Sequence, residues 1–364
     1  MASSRDRRTL QLRPSLRRQR SKWQREQSKQ KAMIIAGIIA IVFILVIPAY
    51  GYWTNFIAPP RAVILQVDDK SYTLGFMTKY MLGLQDFGAN PELTSQPFQI
   101  IQLLEENELV RSGSYARGLT VAEEEIDAEI RDRIIGISPE LENIPEDQLD
   151  REFKETFENY LNTVNLSEKE HREMAEASLL RVKLKDSLGQ EVPPVAKQAH
   201  VQWIILSTAP EVIEGTEELV DTEAKVDGVD QRIKDGEDFA LLAEEYSADR
   251  DTAVNGGEVG WIPEGAYPSL DQTIFSLDPG SVSDALNIGA TTYFIKVTDV
   301  DDARAVEPDM RNRLKELALQ TWVVKERGNH RIEVCFGGGS AGGSCDWQYD
   351  WMIKQLIEAR SRST

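Results

Sequence analysis

The sequence predicts an α+β protein carried behind a single N-terminal transmembrane helix. Three observations lead there. Residues 32–51, AMIIAGIIAIVFILVIPAYG, contain no charged side chain. Residues 97–188 repeat apolar side chains at helical spacing behind Ser/Thr-x-x-Glu starts. Residues 197–300 run strand, amphipathic helix, Gly/Pro-rich zone and strand, the order of a compact α+β domain of about 100 residues.

The chain begins with a basic head. Residues 1–31 hold eleven Lys and Arg against Asp6 and Glu26. The whole chain has a formal charge of −19, so the remainder carries −28. A lone membrane span needs about 20 mostly apolar residues and must close its backbone hydrogen bonds internally, which makes a helix its natural form. Tyr50, Tyr52 and Trp53 stand at the far end of the uncharged run, where amphipathic rings suit the membrane interface. A cleaved signal peptide would show an apolar core of about 7–15 residues and a small-residue cleavage site. The run is longer and IPAYGYW offers no A-x-A, so residues 32–53 read as an uncleaved anchor in the bilayer. The excess of Lys and Arg before it places residues 1–31 in the cytoplasm and the rest outside. Nucleic-acid binding is the other use of such a head. Topology and anionic lipid already account for the charge, so no nucleic-acid partner is expected. The acidic body is expected to stay soluble and to favour basic clients.

After a Pro-containing linker, Val63–Val67 is apolar and β-branched, with a turn at Asp68-Asp69 before a strand fragment and a helix. Ile100, Ile101, Leu103, Leu104, Leu109 and Val110 mark a helix. Thr120–Glu123 and Ser167–Glu170 both read as capping boxes. Ile126, Ile130 and Ile134 form one face of the next helix, and Leu179, Leu180, Val182 and Leu184 belong to a later one. Pro193-Pro194 ends this region, since proline cannot continue a helix. A strand is expected to end near Leu206, and a second covers Thr291–Val300. Helices are expected over Pro308–Arg327 and Asp346–Arg360. In the last, Tyr349, Met352, Ile353 and Leu356 make one apolar stripe that docks back on the folded domain.

Cys335 and Cys345 are the only cysteines and lie on the outer side, where disulfides persist. The Gly/Ser-rich residues between them let the sulfurs meet, so a disulfide is expected; the spacing fits no metal site. His171 and His330 fall on charged segments and are expected at the surface.

The motifs AHVQWIIL, GEDFALLAEEYSAD, GGEVGW, FSLDPGSVSDAL and YFIKV, taken in order, resemble the parvulin (PpiC-type) peptidyl-prolyl cis-trans isomerase family over about residues 197–300. Gly236, Phe239, Leu242, Ser247, Gly256, Gly257, Gly260, Trp261, Phe275 and Gly280 all fall on that pattern. VILQVDDKSYT and ARGLTVAEEEIDAEI resemble the N-terminal region of SurA-type chaperones, over residues 62–190. Anchor, SurA-like region and parvulin domain together resemble membrane-tethered foldases of the PrsA and PpiD kind, and residues 305–364 are expected to form C-terminal helices with the Cys335/Cys345 loop.

The resemblance implies a polar cluster: a first-strand His, an acid after the helix, and a last-strand His. By position these are His200, Asp249 and, in place of the second His, Tyr293. The family's hydroxyl positions fall near Ile288 and Ala290, which carry no hydroxyl, with Thr291 and Thr292 as substitutes after a one-residue slip. The proline-ring pocket implied is Ala266, Tyr267, Leu270 and Phe275. Each catalytic position has a plainer reading. His200 can be a hydrogen-bonded strand residue, Asp249 a turn cap, and Tyr293 a core ring with its hydroxyl at the rim. The chemistry requires no cofactor, metal or covalent step. A prolyl bond turns over a barrier of about 18–20 kcal/mol, set by amide resonance, and a catalyst must bind the twisted amide best.

Three functions follow from the resemblance: a membrane-anchored, extracytoplasmic prolyl isomerase acting on unfolded or newly translocated polypeptides, a non-catalytic holdase of the same build, or a structural subunit of an envelope complex.

Overall fold

The computed structural model describes residues 22–86, 95–138, 145–209, 222–337 and 345–363; residues 1–21, most of the expected cytoplasmic head, lie outside them. Helix α1 (Lys22–Tyr52) joins the last basic residues and the uncharged run in one element. Its large apolar side chains from Met33 to Ile47 are exposed, as those of a core helix would not be. Among the described residues, Met33–Ile57 is the one helical stretch long and apolar enough to cross a membrane. A π-helical turn (Trp53–Ile57) and a 3-10 turn (Pro59–Arg61) extend it to the first strand.

Strands β1 (Val63–Val67) and β2 (Lys70–Thr73) form a hairpin. Its turn holds Asp68 at φ 49°, a left-handed conformation that Asp tolerates better than most residues. The sheet is completed from the far end of the chain: β7 (Ile332–Val334) pairs antiparallel with β1. Helices α2 (Leu74–Asp86), α3 (Gln96–Ala116) and α12 (Asp346–Ser363) cover it. Ile64, Leu65, Met77, Met81, Leu109, Met352 and Leu356 share this core, fully buried, so the C-terminal helix closes the N-terminal unit. Trp351 Nε1 of α12 also donates to the Asn55 carbonyl at the end of the apolar stretch, at 3.1 Å. Cys335 and Cys345 are disulfide-bonded, Cα to Cα 5.2 Å, which ties β7 to the start of α12.

A helical lobe follows, made of α4 (Glu123–Ile137), α5 (Glu146–Thr163) and α6 (Glu168–Leu188). Ile126, Ile130 and Ile134 are buried together as their spacing predicts. Leu180 and Leu184 are buried, whereas Val182 and, in α3, Leu103 point to solvent. Ser167 and Glu170 form the expected capping box. The other box is displaced: α4 starts at Glu123, and Glu125 accepts the Ala122 N–H at 2.8 Å. Glu125 is also held by Lys183, whose ammonium donates to the Thr120 carbonyl, so Thr120 lies outside the helix.

Both histidines expected at the surface are elsewhere. His171 is buried in the lobe, with the rings of Phe157 and Tyr160 edge-on at 5.4 and 5.3 Å. The charged residues flanking it occupy the other faces of α6. His330 lies beside the β1–β2 turn, its Nδ1 2.6 Å from Asp68 Oδ2 and its Nε2 3.5 Å from Glu326. The hydrogen bond that His330 donates to Asp68 raises the His330 pKa, against the opposing effect of burial. That same bond, with the Arg331 N–H, lowers the pKa of Asp68. A His raised in the folded state contributes fully below its unfolded pKa of about 6.5 and loses that contribution as pH climbs through the folded value. A lowered Asp contributes above about 3.9 and loses it on acidification through its folded value. The pair therefore supports the β1–β2–β7 sheet best between about pH 4 and 6.5. Melting curves from pH 6 to 9 should show a decline that Asp68→Asn reduces; an equal decline in the variant would exclude the pair as its source.

The second unit is a four-stranded antiparallel sheet in the order β4-β3-β6-β5. Its strands are β3 (Val195–Ser207), β4 (Glu258–Pro263), β5 (Leu286–Ile288) and β6 (Thr291–Ala305). β4 falls in the zone whose glycines and prolines hide strand periodicity in the sequence, and β5 is only three residues long. Helices α7 (Thr222–Lys234) and α8 (Phe239–Tyr246) pack on Ile204, Leu206 and Phe294. On the other face, α10 (Pro268–Ser276) packs on Ala199, Val201, Trp203, Ile295 and Val297. Helix α11 (Pro308–Arg327) spans the two units. Met310 and Leu314 pack against this sheet, while Leu319 and Trp322 join Val110, Leu180 and Leu184.

Candidate active site

The segment Glu245–Trp261 wraps the end of β3. Ser247 closes α8 and its hydroxyl accepts the Ile205 N–H at 3.1 Å, while Ala248 N donates to the Ile205 carbonyl. A one-turn helix α9 (Arg250–Ala253) follows. Gly256 and Gly257 then take φ of 69° and 78°, the left-handed region where a side chain is strained. The turn brings the Gly257 carbonyl within 2.9 Å of the Trp203 N–H.

Trp203 is the centre of the site. Its indole Nε1 donates to Asp249 Oδ2 at 2.8 Å and approaches Thr252 Oγ1 at 3.2 Å. The Thr252 hydroxyl donates to the same carboxylate oxygen at 2.7 Å. Burial pushes the Asp249 pKa up, but the hydrogen bonds from Thr252 and Trp203 outweigh it, and the net shift is downward. The carboxylate is therefore held charged and occupied as an acceptor, a positioning role rather than that of a proton donor. The Trp203 ring stands edge-on to Tyr267 at 5.5 Å and to Tyr293 at 6.3 Å. Tyr293 sits on β6 opposite Ile205, on the same face as Trp203.

Two of the three expected polar residues, Asp249 and Tyr293, thus flank one ring. His200 does not join them. In β3, Ala199, Val201, Trp203 and Ile205 face α10, and the alternation of the strand puts His200 on the opposite side. There its Nδ1 meets Thr298 Oγ1 at 2.7 Å, its Nε2 meets Glu258 Oε1 at 3.1 Å, and its ring lies edge-on to Trp261 at 5.1 Å. The expectation that His200 joins Asp249 is therefore corrected by the geometry: the β3 side chain that meets Asp249 is Trp203. Strand parity was the available signal, since a residue facing Tyr293 must share the parity of Ile205.

The pocket residues divide. Tyr267 and Phe275 are half-buried beside the site, whereas Ala266 and Leu270 are buried in the core beneath it. Thr292 is buried and bonded to Asn287, so it does not supply the site's hydroxyl. Thr252, which the sequence did not single out, supplies it instead. All three histidines of the chain lie outside the cluster. Among the described residues no group of His, Cys, Asp and Glu could hold a metal.

Residues 182–301 match the PPIC-type PPIASE domain family. This part of the chain is a PPIC-type domain. The PPIC domain carries its polar cluster between the β3 end and the loop after α8, with β6 as the third wall. Over 100 residues, 27% of this chain and 33% of the relative, the chain is 39% identical to a Foldase protein PrsA of Oceanobacillus iheyensis. It is 29% identical to a Foldase protein PrsA of Geobacillus kaustophilus over 205 residues, 52% of this chain and 71% of the relative. It is 30% identical to a Chaperone SurA of Nitrosococcus oceani over 161 residues, 42% of this chain and 37% of the relative. The chain thus spans about a third of the length of two of these relatives and 71% of the other.

Proposed function

We propose that the protein is a membrane-anchored, extracytoplasmic folding helper whose PPIC domain isomerises prolyl bonds in unfolded or newly translocated polypeptides. One observation carries the reading: inside a PPIC domain, Asp249, Thr252 and the Trp203 indole are locked together beneath two half-buried tyrosine rings. Isomerisation moves no proton, so a cluster of this kind acts by shape and hydrogen bonding. The rings of Trp203, Tyr267 and Tyr293 supply an apolar seat for a proline ring. The hydroxyls of Tyr267 and Tyr293 supply donors for an amide whose resonance is broken at the twisted geometry. Asp249 and Thr252 fix the indole that supports both.

The exposed apolar helix α1 supports the anchor of residues 32–53, and the basic residues before it support a cytoplasmic N-terminus. Residues 62–190 would then act as the SurA-like chaperone part and residues 305–364 as the segment that closes it.

The test is a protease-coupled assay of Xaa-Pro isomerisation with the full chain in detergent. Turnover above the uncatalysed rate is expected. Trp203→Phe, which leaves a half-buried carboxylate short of a donor, should lower kcat/KM about 10- to 100-fold, since a hydrogen bond to a charged group contributes about 1.5–3 kcal/mol. Rates at the uncatalysed level for several Xaa would remove the isomerase reading.

A second reading, a holdase, is favoured by the absence of histidine from the cluster and by an apolar groove of about 510 Å³ between α11 and the turn before α10. Leu314, Leu317, Ala318 and Trp322 line it. Suppressed aggregation of an unfolded client, unchanged by Trp203→Phe, would support that reading.

A further inference from the structure

The rim of the candidate site contains a cation from outside the PPIC domain. Arg313 belongs to α11, beyond the matched residues 182–301. Its guanidinium carbon lies 3.8 Å from the Tyr267 ring centroid, and its Nε donates to the Ala266 carbonyl at 2.6 Å. Stacking and that one bond hold the group flat against the ring, while the residue stays exposed. Lys197 lies over the Phe275 ring in the same way, 5.7 Å from its centroid. Two of the rings at the site, Tyr267 and Phe275, thus carry a cation.

Neither cation is neutralised. In this acidic body several arginines meet carboxylates: Arg172 pairs with Asp127 and Glu123, Arg181 with Glu106 and Glu316, Arg232 with Glu237 and Glu245. Arg313 and Lys197 meet none among the described residues. The nearby Asp271 turns its Oδ2 to the Gly265 N–H instead. A guanidinium with its Nε spent on a backbone carbonyl keeps its two terminal nitrogens as a planar pair of donors, the arrangement that matches a carboxylate in two parallel bonds.

We propose that Arg313 over Tyr267, with Lys197 over Phe275, makes the prolyl site select polypeptide segments carrying an acidic residue next to the proline. This rests on the proposed prolyl site and refines it. The net charge of the body would steer basic segments toward the protein at long range, where salt screens the effect over about 10 Å. At the rim the local pair acts within a few ångströms and reverses the preference. Selection by Arg313 also makes the PPIC domain depend on α11, which binds the helical lobe at its other end.

The test uses the full chain in detergent and short labelled peptides with Glu, Gln or Lys immediately before or after proline. Affinity is read by fluorescence polarisation and kcat/KM by the isomerisation assay. The wild-type protein should bind Glu peptides about 3- to 5-fold more tightly than Lys peptides, the size expected of an exposed ion pair with good geometry. Arg313→Gln should abolish that ratio and Arg313→Lys should restore part of it, a pattern that a purely structural Arg313 would not give. Binding without a charge preference overturns the selection and leaves the prolyl site standing. Binding with the preference but without turnover keeps the selection and removes the isomerase reading. Failure to bind any of the peptides overturns both.

Discussion

Gly257→Ala is expected to be among the most damaging single substitutions in the PPIC domain. A Cβ at this position would lie 2.4 Å from the Trp203 carbonyl oxygen and 3.0 Å from the Ala243 Cβ. The first neighbour is backbone in a central strand and cannot swing away. The residue also has φ of 78°, a conformation that costs an L-residue about 1–3 kcal/mol before any clash. Together the strain and the collision should remove at least about 3 kcal/mol of stability, of the order seen when a packed core is forced open. The damage is directional, because the clash pushes β3 at the residue whose indole holds Asp249. The internal control is Gly260→Ala. That glycine has φ of 88° but open space around its Cβ, so only the strain applies. Thermal unfolding should show a much larger fall in Tm for Gly257→Ala than for Gly260→Ala. Equal falls would mean that backbone strain alone governs the double-glycine turn.

The second large effect concerns the chain's two ends. Leu356 and Met352 are fully buried in a core otherwise built from residues 64–109 and Phe336. Leu356→Ala should cost about 2–5 kcal/mol, the range for deleting a buried leucine side chain, although it lies some 290 positions from the hairpin it covers. Reducing the disulfide should act on the same unit. The Cys335–Cys345 loop spans ten positions, for which chain entropy gives about 2–3 kcal/mol. Denaturant unfolding with and without reductant should therefore show the N-terminal unit losing stability while the PPIC domain keeps its own transition. An unchanged midpoint in both Leu356→Ala and the reduced protein would mean that α12 is not part of this core.

The two effects mark the division between local and distant information. The hairpin, the helices of the lobe, the PPIC motifs and the uncharged run are written in adjacent residues, and each was legible because its physical cause is local. A turn at Asp68, a capping carboxylate at Glu170, and apolar side chains three and four apart on α4 all act within one or two turns of chain. The site was legible as far as Asp249 and Tyr293, whose positions follow motif spacing.

Trp203 was not legible in the same way. His200 is the residue that looks like an acid–base group, and choosing it requires only its chemistry. Excluding it requires knowing which side of β3 faces Tyr293, and that depends on the register with β6. Thr252 was missed for a similar reason: its hydroxyl matters only because a one-turn helix aims it at Asp249. His171 and His330 looked like surface residues among charged neighbours. Whether such a side chain is buried depends on which face of its segment the packing covers.

By itself, then, the sequence determined an apolar segment of membrane-spanning length, an acidic body, a PPIC domain and the two cysteines able to meet, because periodicity, charge and motif spacing are properties of neighbouring residues. The tertiary structure alone decided that Trp203 and not His200 meets Asp249, that Arg313 stands over Tyr267, and that α12 completes the N-terminal core. These are contacts between residues from about 46 to almost 300 positions apart, and they exist only once strand register and helix docking have been chosen.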